Sequence, residues 1–75
     1  MAATIEEIKA VIEEAEIAGD AAKLKSDVPL VEQGVDSLDM ANIYLLLEEK
    51  YDLTISDEDT LKLRSIDDII AHIGA

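Results

Sequence analysis

Apolar residues recur along this chain at helical spacing and nowhere alternate. Ile5, Ile8, Val11, Ile12 and Ala15 fall on one face of a helix, at the three-and-four spacing that buries a single stripe. Thr4 followed three residues later by Glu7 is a capping-box pattern, which opens that helix by satisfying two backbone N–H groups reciprocally. Gly19 lies just past its end, where glycine commonly stops a helix. From Gly19 to Val35 the periodicity breaks. Val28-Pro29 favours extended backbone there, because the ring of a proline crowds the residue before it out of the helical region. A loop this long needs its own anchors, and Val28, Leu30 and Val31 are the candidates to plug it into a core.

Helical spacing resumes after Val35. Asp36, with Asp39 three positions on, caps a helix that runs to about Tyr51. Ser56-Asp57-Glu58-Asp59 opens a short helix of one or two turns. Ser65-Ile66-Asp67-Asp68 opens the last, with Ile66, Ile69, Ile70 and Ile73 on one side and Gly74 at its end. The pattern predicts an all-α fold: a small four-helix bundle, three main helices and one short one, with a long loop between the first two. Residues 1–75 read as one domain, without repeats or linkers.

The helix after Val35 carries more apolar surface than one core needs. At about 100° per residue, Met40, Ile43, Tyr44, Leu47 and Tyr51 gather on one side as the core stripe. Leu38, Ala41 and Leu45 form a second stripe roughly opposite, bordered by Asn42, Glu48 and Glu49. Three other short helices do not readily surround this one. The second stripe therefore reads as a docking surface rather than a second buried face, although single exposed apolar residues also occur without purpose.

Charge narrows the partners. Eighteen acidic and six basic residues give a formal net charge of −12. That argues against binding to nucleic acid through phosphate contacts and equally disfavours anionic membrane surfaces. It suits partners with basic patches, beyond the solubility that acidity supplies in any case. The centre of the chain is the most acidic part: residues 26–54 hold seven acids against the single base Lys50. No cysteine is present, so disulfides and thiolate metal sites are excluded, and a reducing compartment is compatible. The carboxylates nowhere follow a calcium-loop spacing, and no metal site is expected. No signal peptide and no membrane span are visible, and the expected location is cytoplasmic. The charge favours a monomer.

One serine stands out. A serine beside a helix N-terminus is usually its cap. Asp36 can take that role here, leaving Ser37 to project outward from the first turn, where a phosphate ester is electrostatically welcome. Gly34 relaxes crowding just upstream. An enzyme would need a base for Ser37, and His72 is the sole histidine. A lone histidine on a short terminal helix is ordinarily a surface or packing residue, and catalysis is not expected.

The run Leu30-Val31-Glu32-Gln33-Gly34-Val35-Asp36-Ser37-Leu38 resembles the segment across the modification site of acyl carrier proteins. Leu47 to Glu58 is similar to the end of that family's second helix and the following loop. The likeness extends over about residues 4–73. It implies that a phosphopantetheinyl transferase joins 4′-phosphopantetheine from coenzyme A to the Ser37 hydroxyl. The terminal thiol then holds acyl groups as thioesters, for acyl synthases and transferases with basic patches. By position it implies partner recognition through the acids Asp36, Asp39, Glu48 and Glu49 and the apolar Leu38, Ala41 and Leu45. Asn42 stands where fatty-acid carriers commonly have an acid. The approach Leu30 to Gly34 is closer to polyketide or nonribosomal-peptide carriers. Tyr44 and Leu46 make the helix bulkier than is typical. The resemblance therefore implies a specialised stand-alone carrier, serving fatty acid, polyketide or related biosynthesis. The alternative is an acidic helical interaction module without a prosthetic group, which gives no reason for Asp36-Ser37-Leu38 at the head of a two-faced helix.

Overall fold

The computed structural model describes residues 3–17 and 19–74. Four α-helices, α1 (Ile5–Glu14), α2 (Ser37–Tyr51), α3 (Asp57–Thr60) and α4 (Ile66–Gly74), are joined with two short 3₁₀ turns, Ala21–Lys23 and Leu30–Gln33. No strand occurs among the described residues. The Cα radius of gyration is 10.9 Å, close to the roughly 11 Å of a folded chain this long, so the long connection folds back onto the body.

Each helix starts where a side chain satisfies its free N–H groups. Thr4 accepts from the Glu7 N–H at 3.1 Å while Glu7 accepts from the Thr4 N–H at 3.1 Å. Ser56 and Asp59 repeat this exchange at α3. The buried Ser65 repeats it with Asp68 at α4. The α1 stripe buries Ile8, Val11 and Ile12 completely, but its first member, Ile5, is 40 % exposed. The helix also stops at Glu14, with Ala15 outside it as the C-cap. The left-handed turn that follows falls first on Glu16 (φ 56°) and then on Gly19 (φ 117°), two residues rather than the single glycine the pattern predicts.

The core gathers Ile8, Val11 and Ile12 of α1, Met40, Ile43 and Leu47 of α2, and Ile66 and Ile69 of α4. Complete burial of each such aliphatic side chain contributes about 1.5–3 kcal/mol. Tyr44, Tyr51, Ile70 and Ile73 pack against its edge.

The connection between α1 and α2 is more ordered than a break in periodicity implies. Ala21, Leu24, Leu30 and Val35 enter the core. Of the three expected anchors Leu30 is fully buried and Val28 half-buried, but Val31 is 52 % exposed. Leu30 and Val31 are adjacent in one 3₁₀ turn and point to different sides, so only one can enter the core. Polar ties complete the loop. Gln33 accepts from the Lys25 N–H at 2.7 Å and donates to the carbonyls of Lys25 and Val28, both at 2.9 Å. The Leu30 N–H donates to the Arg64 carbonyl at 2.8 Å, and the Asp67 N–H to the Ser26 carbonyl at 3.0 Å. The loop is thereby fastened to the start of α4.

Candidate functional site

Three local devices bring the chain into α2. Gly34 ends the second 3₁₀ turn with φ +97°, and its N–H returns to the Leu30 and Val31 carbonyls. A Cβ there would meet nothing within 4 Å. Glycine is therefore needed for the left-handed backbone, not to relax crowding as its place in the sequence suggests. Val35 is then buried, and Asp36 adopts extended backbone and accepts from the Asp39 N–H at 2.8 Å. The cap is thus an aspartate side chain. Ser37, the first residue of α2, is exposed.

Beside Ser37 lies a cavity of about 330 Å³, at the small end of the range for ligand pockets. It is lined by Val31, Met40, Tyr44 and Leu61 together with Ser37, Thr60 and Arg64. Its lining contains no carboxylate and no histidine. His72 sits half-buried on α4, where its charge adds to the pull on Asp59. Tyr44 is fixed at the cavity by its hydroxyl, which donates to the Leu63 carbonyl at 2.9 Å, with the Thr60 carbonyl at 3.4 Å. Burial pushes its pKa up. The sequence reading missed Val31, Thr60, Leu61 and Arg64. Leu61, an apolar residue directly after the polar turn Asp57–Thr60 and 77 % exposed as its C-cap, was the available signal.

The second stripe of α2 faces outward. Leu38 is 72 % and Leu45 59 % exposed, and Ala41 is exposed beside them. Met40, Ile43 and Leu47 are buried, so the helix divides as the pattern predicts. Leu45 also borders a second hollow of about 310 Å³, together with Glu14, Ala15, Asn42, Leu46 and Glu49. The four acids differ in freedom. Asp36 holds the cap, and half-buried Asp39 supplies the N–H that it binds. Glu48 is half-buried and accepts from the Ile55 N–H at 2.9 Å, which pins the chain leaving α2. Glu49 is exposed. Among the described residues no cluster of three or more His, Cys, Asp or Glu side chains is arranged to hold a metal ion, and no helix is long and apolar enough to cross a membrane.

This arrangement fits a serine-linked phosphoester. Its hydroxyl carrier is exposed, relieved of capping, and placed at the positive end of a fifteen-residue helix. The family profile described as "Phosphopantetheine attachment site" matches residues 6–73. An acyl carrier protein of Campylobacter jejuni (strain RM1221) is 39 % identical over 72 residues, covering 95 % of this chain and 92 % of the relative. One from Helicobacter hepaticus is 36 % identical over 73 residues, covering 96 % and 95 %. One from Campylobacter fetus subsp. fetus is 38 % identical over 72 residues, covering 95 % and 92 %. The chain belongs to the acyl carrier protein family, and its prosthetic group is a covalently attached 4′-phosphopantetheine.

Proposed function

We propose that Ser37 is the attachment residue and that the protein presents acyl intermediates of fatty acid, polyketide or related biosynthesis to enzymes that dock on α2. When bound, the prosthetic group supplies a thiol that holds acyl groups as thioesters on a flexible arm. The observation that carries the assignment is the division of labour at the α2 N-terminus: Asp36 caps, and Ser37 stands exposed beside a cavity. The chain's own residues then act by presentation. The first-turn N–H groups favour a phosphoester. Leu38, Ala41 and Leu45 offer a narrow apolar strip that starts beside the serine, and Glu49, with Asp36, Asp39 and Glu48, gives it an acidic border.

A partner with a basic rim and a small apolar groove complements that strip. The exposed Asn42 leaves a neutral gap in the border, which supports a carrier serving a dedicated synthase. We read the chain as one monomeric carrier domain over residues 1–75, acting in the cytoplasm and catalysing nothing itself.

Incubation with coenzyme A and a broad-specificity phosphopantetheinyl transferase, followed by intact-mass measurement, tests the assignment. A mass gain that disappears in Ser37→Ala is expected. No gain, or a gain that survives Ser37→Ala, overturns it.

A further inference from the structure

Arg64 is the only arginine in a chain of net charge −12, and it lines the cavity that Ser37 opens onto. Its position is fixed through its backbone. The carbonyl accepts from Leu30 at 2.8 Å, and the N–H donates to the Asp68 carboxylate at 3.3 Å. Buried Leu63 and Ser65 hold the chain on either side. The guanidinium itself is uncommitted: among the described residues the one ion pair joins Lys50 to Glu14 at 3.9 Å. An arginine without an ion pair, lining a cavity that holds no acid and is otherwise walled by Val31, Met40, Tyr44, Leu61 and the hydroxyl residues Ser37 and Thr60, has the charge and surroundings to receive an anion attached to an apolar body.

We infer that Arg64 binds the phosphodiester of the arm on Ser37 and thereby lays the arm's first segment along Val31, Met40 and Leu61. The inference rests on the Ser37 assignment above. The phosphodiester is one bond from the Ser37 oxygen, so it is the anion bound to be present at this cavity. A guanidinium can meet two of its oxygens with a planar fork of parallel N–H donors, a geometry that an ammonium lacks. Val31 and Leu61, 52 % and 77 % exposed, gain a use as the rails along which the apolar part of the arm lies. Arg64 is a positioning residue in this reading. It sets how long the arm stays on the carrier before a partner takes it.

The test uses the full chain carrying an isotope-labelled pantetheine arm, with intact mass verifying the load. Arm relaxation, the ³¹P shift and contacts between the arm and the methyls of Met40 and Leu61 are then measured over a salt series. In the wild type the root of the arm should be ordered, with order parameters above the roughly 0.6 that marks free motion, and should loosen as salt screens the pair. Arg64→Gln should lower the docked-to-free ratio about two- to fivefold, the range of an exposed ion pair, and Arg64→Lys should recover part of it. An arm whose relaxation and ³¹P shift are the same in wild type and Arg64→Gln overturns the inference. A difference that emerges only with malonyl cargo and not with acetyl cargo also overturns it, by placing the anion on the cargo. Failure of the wild type to load overturns the Ser37 assignment together with this one, whereas loading without Arg64 dependence overturns this one alone. The salt series on the wild type and the Arg64→Lys variant keep the test decisive if Arg64→Gln does not fold.

Discussion

The Tyr44 hydroxyl donates to the Leu63 carbonyl at 2.9 Å, whereas the Tyr51 hydroxyl, one face-repeat further along the same helix, is buried without a partner among the described residues. The two tyrosines belong to one stripe of α2 but stand in opposite polar circumstances. Tyr44→Phe removes a hydrogen bond and leaves a carbonyl unpaired, so it should cost about 1 kcal/mol in urea unfolding. Tyr51→Phe removes a polar atom that binds nothing, so it should be neutral or stabilising.

The same burial predicts the alkaline behaviour. Desolvation holds both tyrosines above the usual phenol value, with the Glu7 charge adding to the effect at Tyr51. Above about pH 10 the unfolded chain gives up these protons first. The folded state then holds more protons, and stability falls as pH rises. Denaturant midpoints measured from pH 8 upward should be flat to about pH 10 and then decline. The decline should be shallower in the Tyr44→Phe, Tyr51→Phe double variant.

At the acid end the sign reverses. Hydrogen bonds from the Ser56 backbone and side chain hold Asp59 below the ordinary carboxylate value, and His72 and Lys62 add a smaller pull. Its contribution is present above about pH 4 and is lost as pH falls through the lowered folded value. Asp59→Asn should therefore flatten the acid limb of a stability–pH curve measured by circular dichroism, without moving the alkaline limb.

Gly34 makes a backbone prediction that its surroundings do not. With φ +97° and open space where a Cβ would stand, Gly34→Ala is opposed by conformation alone and should cost about 1 kcal/mol of stability. Because this turn aims the chain into Val35, Asp36 and Ser37, transfer of the prosthetic group should slow by more than the loss of folded protein accounts for.

The helices were legible because each carries its own start signal and stripe: Thr4 with Glu7, Asp36 with Asp39, Ser56 with Asp59 and Ser65 with Asp68 all pair as their spacing predicts. The division of α2 was legible too, since two stripes on one helix cannot both face a core this small. The loop was not. Leu30 and Val31 are both aliphatic, and only the 3₁₀ geometry with its tie to Arg64 decides which turns inward. The cavity was hidden for the same reason: its walls come from the second 3₁₀ turn, α2, α3 and the residue before Ser65. No local pattern brings those together.

Glu48 and Glu49 are neighbours with the same side chain, and the sequence reading gives them the same role. The structure separates them. Glu48 accepts from the Ile55 N–H at 2.9 Å and is half-buried, while Glu49 is exposed on the border of the apolar strip. Reversing Glu49 to lysine leaves the fold's hydrogen bonds intact and changes only the field that a basic partner meets. Glu49→Lys should therefore slow transfer of the arm to Ser37 by up to about tenfold at low salt, the effect shrinking as salt screens the exposed charge. Its unfolding midpoint should stay near that of the wild type. Glu48→Lys leaves the Ile55 N–H without its acceptor, a loss of about 1–3 kcal/mol, so its transfer defect should be accompanied by a lower midpoint and should persist at high salt. Transfer rates over a salt series, paired with urea unfolding of both variants, separate the two roles. Indistinguishable salt dependence in the two variants would show that partners do not read this side of α2 through Glu49.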